Sequence, residues 1–218
     1  MAWIEPFLDR TDAGRQLAAR LARYRSRTDV VILALPRGGV PVAAEVAKAL
    51  DLPFDLLLVR KLGIPGYSET AMGAIASNGV CVMHGNLIQQ LGLTQTEVNE
   101  VKQRETEELA RRERLYRAGK PPLEVTGKTV IVIDDGIATG ATMQAAILLL
   151  RRQGARRIVV ATPVAPPDTA RKLAREVDEM IVVAEPEEFS AVGEWYRNFG
   201  QTGDDEVRRL LAEATSRS

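Results

Sequence analysis

Two adjacent acids, Asp134 and Asp135, stand between an apolar run and a small, hydroxyl-rich loop made of Ala138, Thr139, Gly140, Ala141 and Thr142. Val130, Ile131, Val132 and Ile133 are all β-branched, which fits a strand buried on both faces, and residues 143–152 then resume with helical periodicity. A loop at such a junction gathers unpaired amide N–H groups at the positive end of a helix dipole, which suits a phosphate. Gly140 and Ala141 let an anion approach the backbone, and Thr139 and Thr142 add hydroxyl donors. The carboxylates would repel a phosphate, so they fit hydrogen bonds from a sugar diol or the water shell of a cation. The combination reads as a site for a phosphorylated sugar. For the acid pair alone, a strand end whose aspartates cap the next helix is an equally good account.

A similar junction occurs earlier. Residues 30–35 are apolar, Pro36, Arg37, Gly38 and Gly39 follow, and Pro41 opens a helix through residue 50. Paired glycines permit close backbone approach, and Arg37 supplies a charged fork for an anion. An ordinary strand-to-helix turn would use the same residues. Residues 54–59 read as a strand ending at Arg60 and Lys61, two cations at the carboxyl edge where open α/β sheets place ligands. Residues 62–72, which include Glu69, contain Gly, Pro and Ser without helical or strand period and read as a mobile loop. Residues 73–77 and 80–83 flank Asn78-Gly79, a signal for a two-residue hairpin.

In this order the two junctions resemble the pyrophosphate and ribose-phosphate loops of the type I phosphoribosyltransferases, which bind 5-phosphoribosyl-1-pyrophosphate (PRPP). The resemblance covers most of residues 30–184. It implies that Asp134 and Asp135 hold the ribose diol and, through water, a Mg²⁺ ion, while Ala138, Thr139, Gly140, Ala141 and Thr142 bind the 5′-phosphate. Arg37, the Gly38 and Gly39 amides, Arg60 and Lys61 would hold pyrophosphate, with a cis peptide at Pro36–Arg37. The segment 62–72 with its hairpin corresponds to the family's flexible loop, which closes over PRPP and shields the reacting sugar from water; Lys61 and Glu69 are its charged catalytic candidates. A segment of that composition would serve equally as a connector. The implied reaction is displacement of pyrophosphate from C1 of PRPP by a ring nitrogen or related nucleophile. Two positions bear on it. Gly136 replaces a usually aliphatic residue, and Ala138 stands where members using hypoxanthine or guanine carry an acid. The Ala-Thr-Gly start is similar to that of adenine and uracil enzymes, without selecting an acceptor.

The elements that must position these residues alternate strand and helix, with further strands at 158–162 and 180–184 and a helix at 169–175. The expected fold class is α/β, a doubly wound, mainly parallel sheet flanked by helices, with the flexible-loop hairpin and a small helical hood. One domain over 1–218 is expected, with a core at about 28–184, an inserted helical segment at about 86–120 and a C-terminal helical segment at about 187–215. Residues 11–25 read as a covering helix capped by Thr11. Residues 94–117 read as a long solvated helix with a thin apolar stripe of Val98, Val101, Leu109 and Tyr116; six acids balance six bases between Glu97 and Arg117. The aromatic residues of 189–199 fit a packed amphipathic helix or a base-stacking surface. Asp204 or Asp205 starts a terminal helix.

With 29 basic and 29 acidic residues the chain offers no overall electrostatic case for nucleic acid or an anionic membrane. Cys81 is the only cysteine, which excludes an intramolecular disulfide and a cysteine-built zinc site and points to a reducing, cytoplasmic setting. No leader-like segment opens the chain, and no apolar run has the length to span a bilayer. The dinucleotide and Walker glycine motifs are missing, as is the Gly-x-Ser-x-Gly of a hydrolase, and His84 is the lone histidine. The expected partners are PRPP and a small-molecule acceptor, and a homodimer is compatible with the sequence. A PRPP- or nucleotide-sensing regulator that kept the phosphate loop without transfer is the alternative to an enzyme.

Overall fold

The computed structural model describes residues 5–65, 67–77, 79–117 and 121–215, with the side chains of all of these except 67–70 and 215. In chain order its elements are α1 (Arg10–Arg20), β1 (Val30–Ala34), α2 (Gly39–Leu50), β2 (Phe54–Leu56), β3 (Val59–Ile64), β4 (Tyr67–Ala76) and β5 (Cys81–Met83). There follow α3 (Gly85–Gln90), α4 (Gln95–Arg117), β6 (Thr129–Ile133), α5 (Ala141–Arg152), β7 (Arg157–Val164), α6 (Pro167–Ala174), β8 (Glu179–Ala184) and α7 (Asp204–Thr215).

The β-branched runs form the centre. A five-stranded sheet has the order β2-β1-β6-β7-β8, and all its pairings are parallel. Strand alternation divides the side chains between two cores. Val30, Ile32 and Ala34 with Ile131 and Ile133 meet α1, α2 and α7, whereas Val31 and Leu33 with Val130 and Val132 meet α5 and α6. Every residue of β1 and β6 is buried, and apart from Thr129 at the start of β6 all are apolar, instead of the half-polar alternation of a one-sided sheet. Each fully buried Ile or Leu contributes about 1.5–3 kcal/mol through the water-exposed area it removes.

The crossovers leave β1 and β6 in opposite senses: α2 leads outward to β2, and α5 leads the other way to β7. Neighbouring strands whose connections diverge open a crevice at their carboxyl ends, where this class of sheet binds ligands. Pro36 to Gly39 leaves one side of that crevice and Asp134 to Thr142 the other. Leu35 N–H donates to the Ile133 carbonyl at 2.9 Å, which ties the two strand ends together just before they separate.

Residues 62–64 and 67–72 lie in strands and not in the irregular loop that their composition suggests. β3 and β4 pair antiparallel, with β5 added through Gly73–Met83, Ala74–Val82 and Ile75–Cys81, to make a separate three-stranded sheet. The period is hidden because the β3–β4 register shifts on both sides of Gly63. Burial of Leu62, Ile64, Met72 and Ile75 against the main core supplies the stabilisation that local propensity lacks. The expected strand over 54–59 likewise divides. β2 ends at Leu56, and the chain enters the second sheet at Val59, so Arg60 and Lys61 belong to β3 and not to the edge of the parallel sheet. Asn78 lies outside the described residues; Gly79 has φ +81°, the left-handed conformation that a tight turn assigns to glycine.

The helical cover follows its sequence closely. Asp9, ahead of the expected Thr11, caps α1 by accepting from Asp12 N–H at 2.8 Å. Thr94 and Glu97 cap α4 reciprocally, Thr94 N–H to Glu97 Oε2 at 2.8 Å and Glu97 N–H to Thr94 Oγ1 at 3.3 Å. Val98, Val101, Leu109 and Tyr116 are the buried apolar stripe of α4. Residues 189–199 form no amphipathic helix. Val192–Trp195 makes one 3₁₀ turn, and the chain on either side is held to the N-terminal segment by Phe7 N–H to Trp195 O at 2.9 Å and Arg197 N–H to Phe7 O at 2.8 Å. Among the described residues, no helix is long and apolar enough to cross a membrane.

Candidate functional site

The loop after β6 leaves the start of α5 thinly capped. Gly140 precedes α5 with φ +77° and can supply no side-chain cap, and of the first-turn amides Ala141 N–H reaches Thr139 Oγ1 only at 3.5 Å. Thr139 and Thr142 are exposed beside them, Ala138 is exposed, and Gly140 is buried against Thr169 and Leu173. Thr169 Oγ1 donates to the Ala138 carbonyl at 2.8 Å, anchoring the outer edge of the loop from α6. A helix start with a positive dipole end, exposed hydroxyls and no capping carboxylate can accept an anion.

The acid pair behind this loop is enclosed. Asp134 Oδ1 accepts from Asp135 N–H at 2.9 Å, and the two carbonyls accept from Thr162 Oγ1 at 3.3 Å for Asp134 and from the Tyr196 hydroxyl for Asp135. Burial, then the neighbouring charge of Asp135, pushes the Asp134 carboxyl well above the ordinary carboxylate range. Asp135 instead has a countercharge: Arg10 Nε lies 2.8 Å from its Oδ2, and both side chains are nearly buried. Arg10 is further fixed by donating to Gly200 O at 2.6 Å and by lying 4.0 Å from the Phe199 ring centroid. Burial, followed by the charge of Asp135, raises the pKa of the Tyr196 hydroxyl and keeps it a neutral donor.

Across the crevice the Pro36–Arg37 peptide is cis, as the resemblance implies. Gly38 has helical backbone angles, so its small size matters through proximity: a Cβ there would fall 2.1 Å from Asp135 Oδ2. A Cβ at Gly39 would fall 2.7 Å from the Ile133 carbonyl oxygen. The Gly39 amide already donates to Leu35 O at 3.1 Å, so what Gly39 brings to the loop is close approach. Arg37 points toward α7, with Nη1 3.6 Å from Asp204 Oδ1, and burial with Asp204 pushes the adjoining Tyr116 hydroxyl up to about 12.

A cleft of about 410 Å³ unites parts of both loops with the second sheet; Pro36, Arg60, Lys61 and Thr142 all line it. Asp134, Asp135, Arg37, Gly38 and Gly39 lie outside its lining. The backbone of Glu69 belongs to β4, and its side chain is outside the described residues.

A family model for the phosphoribosyl transferase domain matches residues 5–195. The chain belongs to this family. A Mycobacterium tuberculosis H37Rv protein provisionally named a phosphoribosyl transferase is 47% identical over 208 residues, covering 95% of this chain and 47% of that protein, so the chain spans about half the length of this relative. The crystal structure of TT1426 from Thermus thermophilus superposes with a TM-score of 0.88 at 38% identity, covering 95% of this chain and 98% of that one. A Methanospirillum hungatei hypoxanthine/guanine phosphoribosyltransferase is 23% identical over 148 residues, covering 65% of this chain and 57% of the relative.

Within this phosphoribosyl transferase domain, the departure at Gly136 has a steric origin. A Cβ at this buried position would lie 2.4 Å from Val192 Cγ1 and 3.1 Å from Val164 Cγ1, because the C-terminal segment packs onto the backbone just after the acids. Gly136→Ala is therefore expected to destabilise the chain by about 1–3 kcal/mol, the usual cost of overpacking, measured as a lower midpoint in urea unfolding. Arg10 and Tyr196 were not identifiable as site residues from sequence. Arg10 contacts an acid 125 positions away, and Tyr196 carried only a generic aromatic signal.

Proposed function

We propose that the chain transfers the 5-phosphoribosyl group from PRPP to a nitrogenous base or related nucleophile and releases pyrophosphate. The observation that carries this reading is the meeting, at one sheet crevice, of a thinly capped helix start, two carboxyl groups and a cation-lined cleft. Residues 139–142 would take the 5′-phosphate, and Asp134 and Asp135 would accept hydrogen bonds from the ribose hydroxyls. Arg60 and Lys61 would bind pyrophosphate and stabilise its growing charge as it leaves, with Gly38 and Gly39 allowing the loop to lie close. The carboxyl pair fits an ion shared with the substrate: no group of three ligating side chains occurs among the described residues, and Mg²⁺ commonly combines one or two carboxylates with water and substrate phosphates. Asp134 and Asp135 would hold Mg²⁺ through water, and the ion would offset charge on the leaving group. In this reading the chain acts as one domain in the cytoplasm.

A PRPP sensor without turnover is the second reading, favoured by the Arg10–Asp135 ion pair, which a ligand using Asp135 has to displace. The two separate when the purified chain is incubated with PRPP, Mg²⁺ and a panel of purine, pyrimidine and other nitrogenous bases. The enzyme reading expects pyrophosphate release with at least one acceptor. Calorimetric binding of PRPP with no release from any acceptor would establish the sensor instead, and no binding would remove both.

A further inference from the structure

The cleft has a wall that belongs to neither loop. Arg104, Glu105, Leu109 and Arg112 of α4 line it opposite Pro36 and Thr142. Glu105, Leu109 and Arg112, spaced i, i+4 and i+7, fall on one helix face, and Arg104 borders that face one position before Glu105, so the inserted helix turns a stripe and its edge toward the cleft. Elsewhere α4 buries Val98, Val101, Tyr116 and Arg117 and leaves most of its remaining charged residues exposed.

The charges on that stripe are arranged for another acceptor. Glu105 is only 7% exposed, and it uses both oxygens: Oε2 meets Arg60 Nε at 2.6 Å and Oε1 meets Arg104 Nε at 3.2 Å. Arg112 Nε meets Glu108 Oε1 at 2.7 Å, while Glu108 also takes Arg111. Each of the three guanidiniums lining the cleft is thus held by its Nε. That grip is side-on and leaves Nη donors for a ligand. Four cations, Arg60, Lys61, Arg104 and Arg112, line the cleft with a single acid, Glu105. A buried carboxylate costs desolvation that surface helix pairs do not require, and here the compensation comes from a cross-element pair to β3 and a neighbour on its own helix. The result is two guanidiniums fixed relative to each other, a geometry suited to the several oxygens of a polyphosphate.

We infer that α4 is part of the anion site: Arg104 and Arg112 bind the pyrophosphate end of the substrate, and Glu105 is a positioning residue that sets Arg60 and Arg104 for it. This rests on the reading under Proposed function and extends it to a helix outside both phosphate-binding loops. It also separates two effects of Glu105. Its negative charge by itself weakens anion binding, whereas its grip on two arginines strengthens it, and the second effect dominates because the arginines' side-chain freedom is already spent before the ligand arrives.

The test is calorimetry on the full chain with three probes in Mg²⁺ buffer: PRPP, pyrophosphate and ribose 5-phosphate. Arg104→Ala and Arg112→Ala are each expected to weaken pyrophosphate and PRPP on the order of tenfold, the loss of a charge-assisted contact, with ribose 5-phosphate unchanged. Arg114→Ala removes the same charge from an exposed position of the same helix and is expected to leave all three affinities within about twofold, since exposed charges are screened. Glu105→Gln is expected to weaken pyrophosphate although it removes a repelling charge, and thermal unfolding of each variant checks that the fold persists. Pyrophosphate affinities in Arg104→Ala and Arg112→Ala that match Arg114→Ala would overturn the inference while ribose 5-phosphate and PRPP binding still supported the parent reading. Tighter pyrophosphate binding by Glu105→Gln would overturn the positioning role. A wild-type chain that binds none of the probes would overturn both inference and parent reading.

Discussion

Gly38→Ala is expected to reduce PRPP affinity on the order of a hundredfold and to lower stability by about 1–3 kcal/mol, the scale of a misplaced binding group and of an overpacked contact. Backbone preference alone predicts the opposite sign for stability. Gly38 has φ −59° and ψ −38°, which alanine adopts easily, and replacing glycine at a compatible position restricts the unfolded chain. The collision outweighs this gain. The new Cβ would lie 2.1 Å from Asp135 Oδ2 and 2.5 Å from its Cγ, and Asp135 cannot simply swing away because Arg10 holds the same oxygen at 2.8 Å. Relief requires either the loop or the ion pair to move, and both belong to the proposed site. Gly85→Ala is the matched control, since a Cβ there meets nothing within 4 Å. Urea unfolding and calorimetry with PRPP and Mg²⁺ on both variants give the answer; a Gly38→Ala chain as stable and as tight as Gly85→Ala would show that the two loops are not in contact in solution.

The parts of this architecture written locally were readable. β6 announces itself by an unbroken β-branched run and β1 by an unbroken apolar one, and the junctions after them by glycine, proline and hydroxyl chemistry. The long helix α4 is signalled by its sparse apolar stripe and paired charges. What escaped was encoded between distant segments. β3 and β4 looked irregular because their register shifts at Gly63 and because burial, not alternation, sustains them. The aromatic segment looked helical because composition cannot show that Phe7 would take its backbone donors and acceptors. Gly136 looked like a departure until Val192 was seen above it. Arg10 was one of several arginines near a surface helix, and only the fold brings it to Asp135. Similarly, α4 contains many charged residues, and which of them face a cleft depends on where β3 runs after leaving the parallel sheet. In each case the missing information is a long-range contact whose partner has no local mark.

Asp134→Asn and Asp135→Asn are expected to abolish pyrophosphate release together, and to lower it singly by about 10²–10³, while changing stability in opposite directions. The proposed role needs both carboxylates ionised toward the ribose diol and the ion's water shell, and asparagine keeps the shape without the charge. Stability separates the two because their surroundings differ. The folded-state pKa of Asp134 is raised, so stability linked to its proton is fully present below the unfolded value, about 3.9, and is lost as pH rises through the folded-state value. Asparagine carries no such loss and still accepts from the Asp135 N–H. Asp134→Asn should therefore unfold at a higher temperature than wild type at pH 7, with the difference shrinking as the pH falls toward 4. Asp135→Asn should unfold earlier, because it leaves the nearly buried Arg10 without its countercharge, a loss of about 3–5 kcal/mol when a buried pair is broken from one side. The double variant should fall between them and remain folded. Thermal unfolding at pH 4 and pH 7, beside pyrophosphate release with whichever acceptor proves active, measures all of this. Undiminished release from the double variant would remove the carboxyl pair from the reaction, and an Asp134→Asn chain less stable than wild type at pH 7 would mean that this position is held by its charge.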